Sequence, residues 1–139
     1  MLGTNKQMLK FDIARIRTLH QGFKMLCDSF TMSKHEFEQI LGFNDSEGLF
    51  NQLDTDANGV IDAIEVFTLL AIFSDSRLED RFRFLFELYD FNERQWLEEI
   101  DLQFMIFTII NSIVKLFTIE THSIEYEDSS GKRAYDQLL

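Results

Sequence analysis

Residues 54–65 read Asp-Thr-Asp-Ala-Asn-Gly-Val-Ile-Asp-Ala-Ile-Glu, and this segment constrains the chain more than any other. Oxygen-bearing side chains recur at its positions 1, 3, 5, 9 and 12, as Asp54, Asp56, Asn58, Asp62 and Glu65. Gly59 stands at position 6, where a sharp turn needs positive φ. A hard cation such as Ca²⁺ takes about six to eight oxygens at roughly 2.3–2.6 Å, and alternate residues of a tight loop can point inward to supply them. In that reading Val60 contributes its backbone carbonyl, Asp62 acts through a water, and Glu65 gives both carboxylate oxygens. Every constrained position of the pattern is filled, and one Ca²⁺ site is expected. The plainer alternative is an acidic turn that caps a helix at Asp62.

The flanks have helical spacing. Leu49, Phe50 and Leu53 precede the loop, and Ile64, Phe67, Leu70 and Ala71 follow it. Loop and flanks together resemble the EF-hand family, which implies an all-α fold of helix-loop-helix repeats. The resemblance also implies that Ile61, at loop position 8, forms a short β-bridge to a second hand.

Two further segments carry the same period in damaged form. Asp90 to Asp101 follows an amphipathic stretch from Arg81 to Tyr89 and keeps oxygens at Asp90, Asn92, Glu98 and Asp101. Arg94 puts a positive charge at position 5, and Gln95 replaces the turn glycine at a steric cost. Asp101 is one methylene shorter than Glu, so this loop reads as a relic that binds Ca²⁺ weakly or not at all. Upstream, a helix begins near Phe11, includes Ile13, Ile16 and Leu19, and ends with Phe23, Met25 and Leu26. Thr31 to Phe37 then aligns with Val60 to Val66, placing Met32 at the bridge position. Ser33 and Glu36 form a capping box for the next helix. Only Cys27-Asp28-Ser29-Phe30 lies between, too short and too poor in oxygen to hold a metal.

The order of degenerate, intact and degenerate hands, with Leu88-Tyr89-Asp90 leading into the third loop, resembles neuronal calcium sensors and calcineurin-B-like proteins over roughly residues 20–117. Residues 1–75 are expected to form an N-terminal EF-hand pair, with a degenerate hand about 11–42 and the intact hand about 45–74. Residues 76–139 form the C-terminal half: a degenerate hand about 76–117, an acidic linker at 118–131 and a short terminal helix at 132–139. That half is an incomplete second lobe, either cut before a fourth loop or closed by a lone helix.

Composition excludes several classes. Thirteen Lys and Arg against 24 Asp and Glu give a net charge of −11, which disfavours nucleic acid and anionic membranes and favours basic target helices. With 15 Phe and no proline, the chain can fill a core with helices. Its single cysteine, Cys27, excludes an intramolecular disulfide, reads as a packing residue and suits a reducing, cytoplasmic setting. Met1-Leu2-Gly3 matches neither a signal peptide nor a myristoylation signal. The uncharged run from Leu102 to Val114, closed by Lys115, is shorter than the ~20 residues of a membrane span and reads as a buried or groove-lining helix. His20, His35 and His122 lack acid or nucleophile partners at informative spacing and read as surface or cap-region residues. No catalytic pattern is present.

A Ca²⁺-responsive regulatory module that engages an amphipathic partner helix through an apolar groove is therefore expected. The alternative is a structural adaptor of a cytoskeletal or ciliary assembly, or a regulatory segment of a larger enzyme, with Ca²⁺ as a stabilising ion. A homodimer or an assembly contact through the C-terminal half fits either reading.

Overall fold

The computed structural model describes residues 11–27, 29–42 and 46–127, with the backbone alone at 46–47 and from 117 onward. The expected terminal helix at 132–139 and the last residues of the acidic stretch lie outside them. Six helices and one two-stranded sheet make up the described chain. The order is α1 (Ile13–Leu26), β1 (Thr31–Ser33), α2 (Lys34–Leu41), α3 (Ser46–Leu53), β2 (Val60–Asp62), α4 (Ala63–Ile72), α5 (Leu78–Tyr89) and α6 (Glu99–Glu127). The architecture is all-α, as expected.

Local chemistry sets most of the boundaries. Asp12 caps α1 by accepting the Arg15 N–H at 2.8 Å. Ser33 and Glu36 form the capping box of α2: Ser33 Oγ accepts the Glu36 N–H at 3.3 Å, and Glu36 Oε2 accepts the Ser33 N–H at 2.7 Å. These bonds, with a Cys27 Sγ contact, hold the Glu36 carboxyl below its ordinary pKa. Cys27 is thus a half-buried hydrogen-bonding residue, its Sγ donating to Glu36 Oε1 at 3.3 Å. At the C-terminus of α4, the Arg81 guanidinium donates to the carbonyls of Ile72 (3.0 Å) and Ser76 (2.8 Å), where helix carbonyls lack partners.

β1 and β2 pair antiparallel, with Met32 opposite Ile61. Both side chains are buried, each contributing on the order of 1.5–3 kcal/mol of burial free energy. The bridge thus joins the two helix-loop-helix units through the core. Around it the buried apolar side chains form one contiguous cluster, from Phe11 and Ile16 of the first unit to Leu116 of α6. Leu49, Phe50 and Leu53 before the loop, and Ile64, Phe67, Leu70 and Ala71 after it, all belong to this core.

α6 departs from the sequence expectation in its length. It runs on through Glu127, past the start of the stretch read as an acidic linker, since no proline or glycine interrupts it before Gly131. Of the two readings for its apolar run, buried or groove-lining, the structure favours the second: part of its apolar surface stays outward. Ile100, Phe107 and Ile110 are exposed, whereas Thr108 and Ser112 are buried beside Leu116 and the partly buried Met105 and Ile109, so α6 meets the core through a mixed polar and apolar face.

Candidate metal centre

The loop between α3 and α4 wraps around the Asp54 carboxylate. Asp54 Oδ1 accepts the Asn58 N–H at 3.1 Å, and Oδ2 accepts the Gly59 N–H at 2.9 Å. Positive φ at Ala57 (53°) and Gly59 (85°) aims those amides inward. Asp56 Oδ2 accepts from Asn58 Nδ2 at 3.1 Å, and Asn58 Oδ1 accepts the Val60 N–H at 3.1 Å. Asp62 Oδ1 accepts the Ile64 N–H at 2.8 Å, so Asp62 is also the N-cap of α4. The capping role considered for Asp62 is real and leaves its second carboxylate oxygen for other use.

Glu65 stands apart. It lies in the first turn of α4 with its side chain only 8% exposed. Both oxygens are engaged by α6: Ser112 Oγ donates to Oε1 at 3.2 Å, and Lys115 Nζ donates to Oε2 at 3.1 Å. Among the described residues no three His, Cys, Asp or Glu side chains converge as a ready-made ion cage. The donor set of Asp54, Asp56, Asn58, the Val60 carbonyl, Asp62 and Glu65 is all hard oxygen, and the loop backbone is already wrapped. These residues fit Ca²⁺ in chemistry and order, with Glu65 committed elsewhere in this conformation.

The loop at 90–101 repeats the wrap with a weaker donor set. Asp90 Oδ1 accepts the Arg94 N–H at 3.0 Å, and Oδ2 accepts the Gln95 N–H at 2.8 Å, matching the two bonds to Asp54. Glu93 (φ 52°) and Gln95 (φ 68°) take the positive dihedrals at the positions of Ala57 and Gly59. Here Glu98 and Asp101 are paired within the protein. The Arg94 guanidinium forms an ion pair with Glu98, and Asp101 Oδ2 accepts the Glu98 N–H at 3.1 Å. Gln95 also holds a left-handed conformation that disfavours any side chain, by roughly 1–2 kcal/mol.

Two further features lie beside the loops, and only the first was unexpected. His20 is half-buried, edge-on to Phe67 (ring centroids 4.9 Å apart) and Phe84 (6.0 Å), and is not the surface residue expected. Position 20 falls on the face of α1 that carries Ile16 and Phe23 toward the core, and burial, with nearby Lys24, pushes its pKa down to about 4. The second is an open apolar groove of about 600 Å³ between α5 and α6, walled by Phe82, Phe86, Trp96, Leu97, Leu102 and Met105. Among the described residues no helix is long and apolar enough to cross a membrane.

Comparison with known proteins supports the superfamily that the loops suggested. The chain is 25% identical over 126 residues to guanylyl cyclase-activating protein 2 of Gallus gallus, covering 86% of this chain and 62% of that protein. It is 23% identical over 117 residues to guanylyl cyclase-activating protein 2 of Lithobates pipiens, covering 79% of this chain and 59% of that protein. The chain thus spans about three-fifths of the length of these curated relatives. No family model matches it, and no solved structure matches it. These distant similarities support a place in the EF-hand, neuronal-calcium-sensor superfamily.

Proposed function

We propose that this chain is a Ca²⁺-responsive regulatory module with one ion site, in the loop 54–65. The observation that carries the reading is the loop's wrap around Asp54, with positive φ at positions 4 and 6 and hard oxygens at every ligand position. Asp54, Asp56, Asn58 and the Val60 carbonyl would hold the ion, with Asp62 through a water and Glu65 by both oxygens. Bound Ca²⁺ would supply the divalent charge that these oxygens share. The first shortened loop and the loop at 90–101 act as structural hands, one pairing through Met32 and the other with Glu98 and Asp101 already paired. The hand pair at 1–75 is the sensing unit, and the C-terminal half carries the partner surface.

The apolar groove beside α5 and α6 suits an amphipathic partner helix, and the net charge of −11 favours a basic one. The relatives are named as activators of a cyclase, which supports a regulator in place of a catalyst. The exposed, apolar walls of this groove also favour a second reading: a permanently docked adaptor, cytoplasmic or in a cytoskeletal or ciliary assembly, in which Ca²⁺ only stabilises.

Calorimetric Ca²⁺ titration of the full chain, alongside Glu65→Gln and a hydrophobic dye, tests both. One site lost in the variant, with a dye response, supports the responsive module. One site with no dye response moves the assignment to the adaptor. Two sites would refute the reading of the loop at Asp90, and no binding would refute the ion site itself.

A further inference from the structure

The loop carboxylate required to give both oxygens to an ion is the one whose two oxygens are already occupied. Its partners come from a single helix. Ser112 and Lys115 sit three residues apart on α6, on one side of it, and Thr108 continues the same inward polar stripe one turn earlier. Ser112 is fully buried and the Lys115 side chain is 20% exposed, so the contact is largely closed to water. Lys115 is the one Lys or Arg in the whole of α6.

We propose that Ser112 and Lys115 form a latch that competes with the divalent cation for Glu65, so that ion binding at 54–65 and loosening of α6 from α4 are one coupled event. The proposal rests on the reading of residues 54–65 as the ion site and names how that site is regulated. Three physical points carry it. First, the two roles differ in place: Glu65 is held against α6, and among the described residues it does not converge with the loop's other carboxylates, so an ion that takes both its oxygens must draw it away from both donors. Second, the displaced ammonium cannot stay where it is. Lys115 stripped of its counter-charge would be a buried, unpaired cation, so its stem must carry it to solvent or the helix must shift. Third, stability alone does not call for this pair. A buried carboxylate and ammonium gain little over apolar side chains of the same size once desolvation is counted.

The consequence is directional. α6 carries the exposed Phe107 and Ile110 and one wall of the apolar groove, so the latch ties the ion site to the face offered to a partner. Coupling of this kind is reciprocal: a partner that draws α6 outward frees Glu65 and tightens ion binding by the same factor.

Lys115→Met keeps the length of the side chain and removes its charge and donors. Calorimetric Ca²⁺ titration of the full chain should show about tenfold tighter binding in Lys115→Met, and a smaller gain in Ser112→Ala. In the unmodified chain, amide hydrogen exchange over residues 108–116 should speed up on adding Ca²⁺, which keeps the test independent of how well the variants fold. Binding by Lys115→Met where the unmodified chain binds only weakly also supports the latch. Affinities within twofold of each other, or exchange over 108–116 that Ca²⁺ leaves unchanged, would overturn the latch while leaving the ion site intact. No binding in either protein would overturn both.

Discussion

The buried hydroxyl of Tyr89 should stabilise the junction of α4, α5 and α6 in a measurable and separable way. Thr68 and Tyr89 are both fully buried, with their oxygens 2.7 Å apart. Thr68 Oγ1 also donates to the Ile64 carbonyl at 2.7 Å, which leaves the Tyr89 hydroxyl as donor to Thr68 in one consistent arrangement. Tyr89 bonds Thr108 of α6 as well, and burial pushes its phenol pKa up, with these hydrogen bonds opposing. A neutral hydrogen bond contributes about 1 kcal/mol net, while an orphaned buried partner costs about 1–3 kcal/mol. Tyr89→Phe leaves Thr68 bonded to Ile64 but strips Thr108 of a partner, for a loss of about 1.5 kcal/mol. Thr68→Val leaves the Tyr89 hydroxyl with Thr108 alone, for a similar loss. The double variant removes both ends of one bond, so its loss should fall short of the sum by about 1 kcal/mol. Urea unfolding under chelating conditions measures all four proteins; with m near 1.5 kcal/mol/M, each single change lowers the midpoint by roughly 1 M. Additivity within about 0.3 kcal/mol would refute the hydroxyl bond and the account of the junction built on it.

The two wrapped loops make opposite predictions. Gln95→Gly relieves a left-handed side-chain position and should stabilise the chain by about 0.5–1 kcal/mol, the strain released less the added freedom of the unfolded chain. Gly59→Ala should destabilise it by about 1 kcal/mol through the backbone alone, since an added Cβ meets nothing within 4 Å. Thermal melts under chelating conditions read both, and the same sign in the two variants would contradict the shared loop geometry. His20 sets a pH dependence. Its folded pKa is near 4 and its unfolded value near 6.5, so between these values the unfolded chain holds a proton that the folded chain refuses. Its share of stability is whole above about pH 6.5 and is lost as the pH falls toward 4. His20→Phe should flatten that slope between pH 6.5 and 5, above the range where Glu36 titrates; unfolding free energies with an unchanged slope would sink the assignment.

The capping box at Ser33 and Glu36, the turn at Gly59 and the oxygen pattern of 54–65 depend on residues within about a dozen positions of one another, and their side-chain types announce them. The pairing of Met32 with Ile61 spans a longer distance but follows from aligning one loop on another, because each hand presents position 8 at the same place. The loss of donors in the loop at Asp90 was also plain in Arg94 and Gln95, and the structure adds only how Arg94 and Asp101 are spent.

The commitment of Glu65 to α6 was beyond such reading. Its partners lie 47 and 50 residues away, and in the sequence Lys115 merely closes an apolar run. Hydrophobic spacing placed the Leu102 to Val114 helix in the core or along a groove. The side it turns inward is set by what it must meet there, and the buried hydroxyl of Tyr89 and the carboxylate of Glu65 draw in Thr108, Ser112 and Lys115. His20 is buried for the same kind of reason: the face of α1 that it shares with Ile16 and Phe23 lies against Phe67 of a distant helix. The sequence alone determined the helix-loop-helix units, their caps and the oxygens available to an ion, because these are short-range matters of spacing and residue type. Tertiary structure alone decided which of those oxygens is held back and which helix holds it, because desolvation and pairing act between groups that only packing brings together.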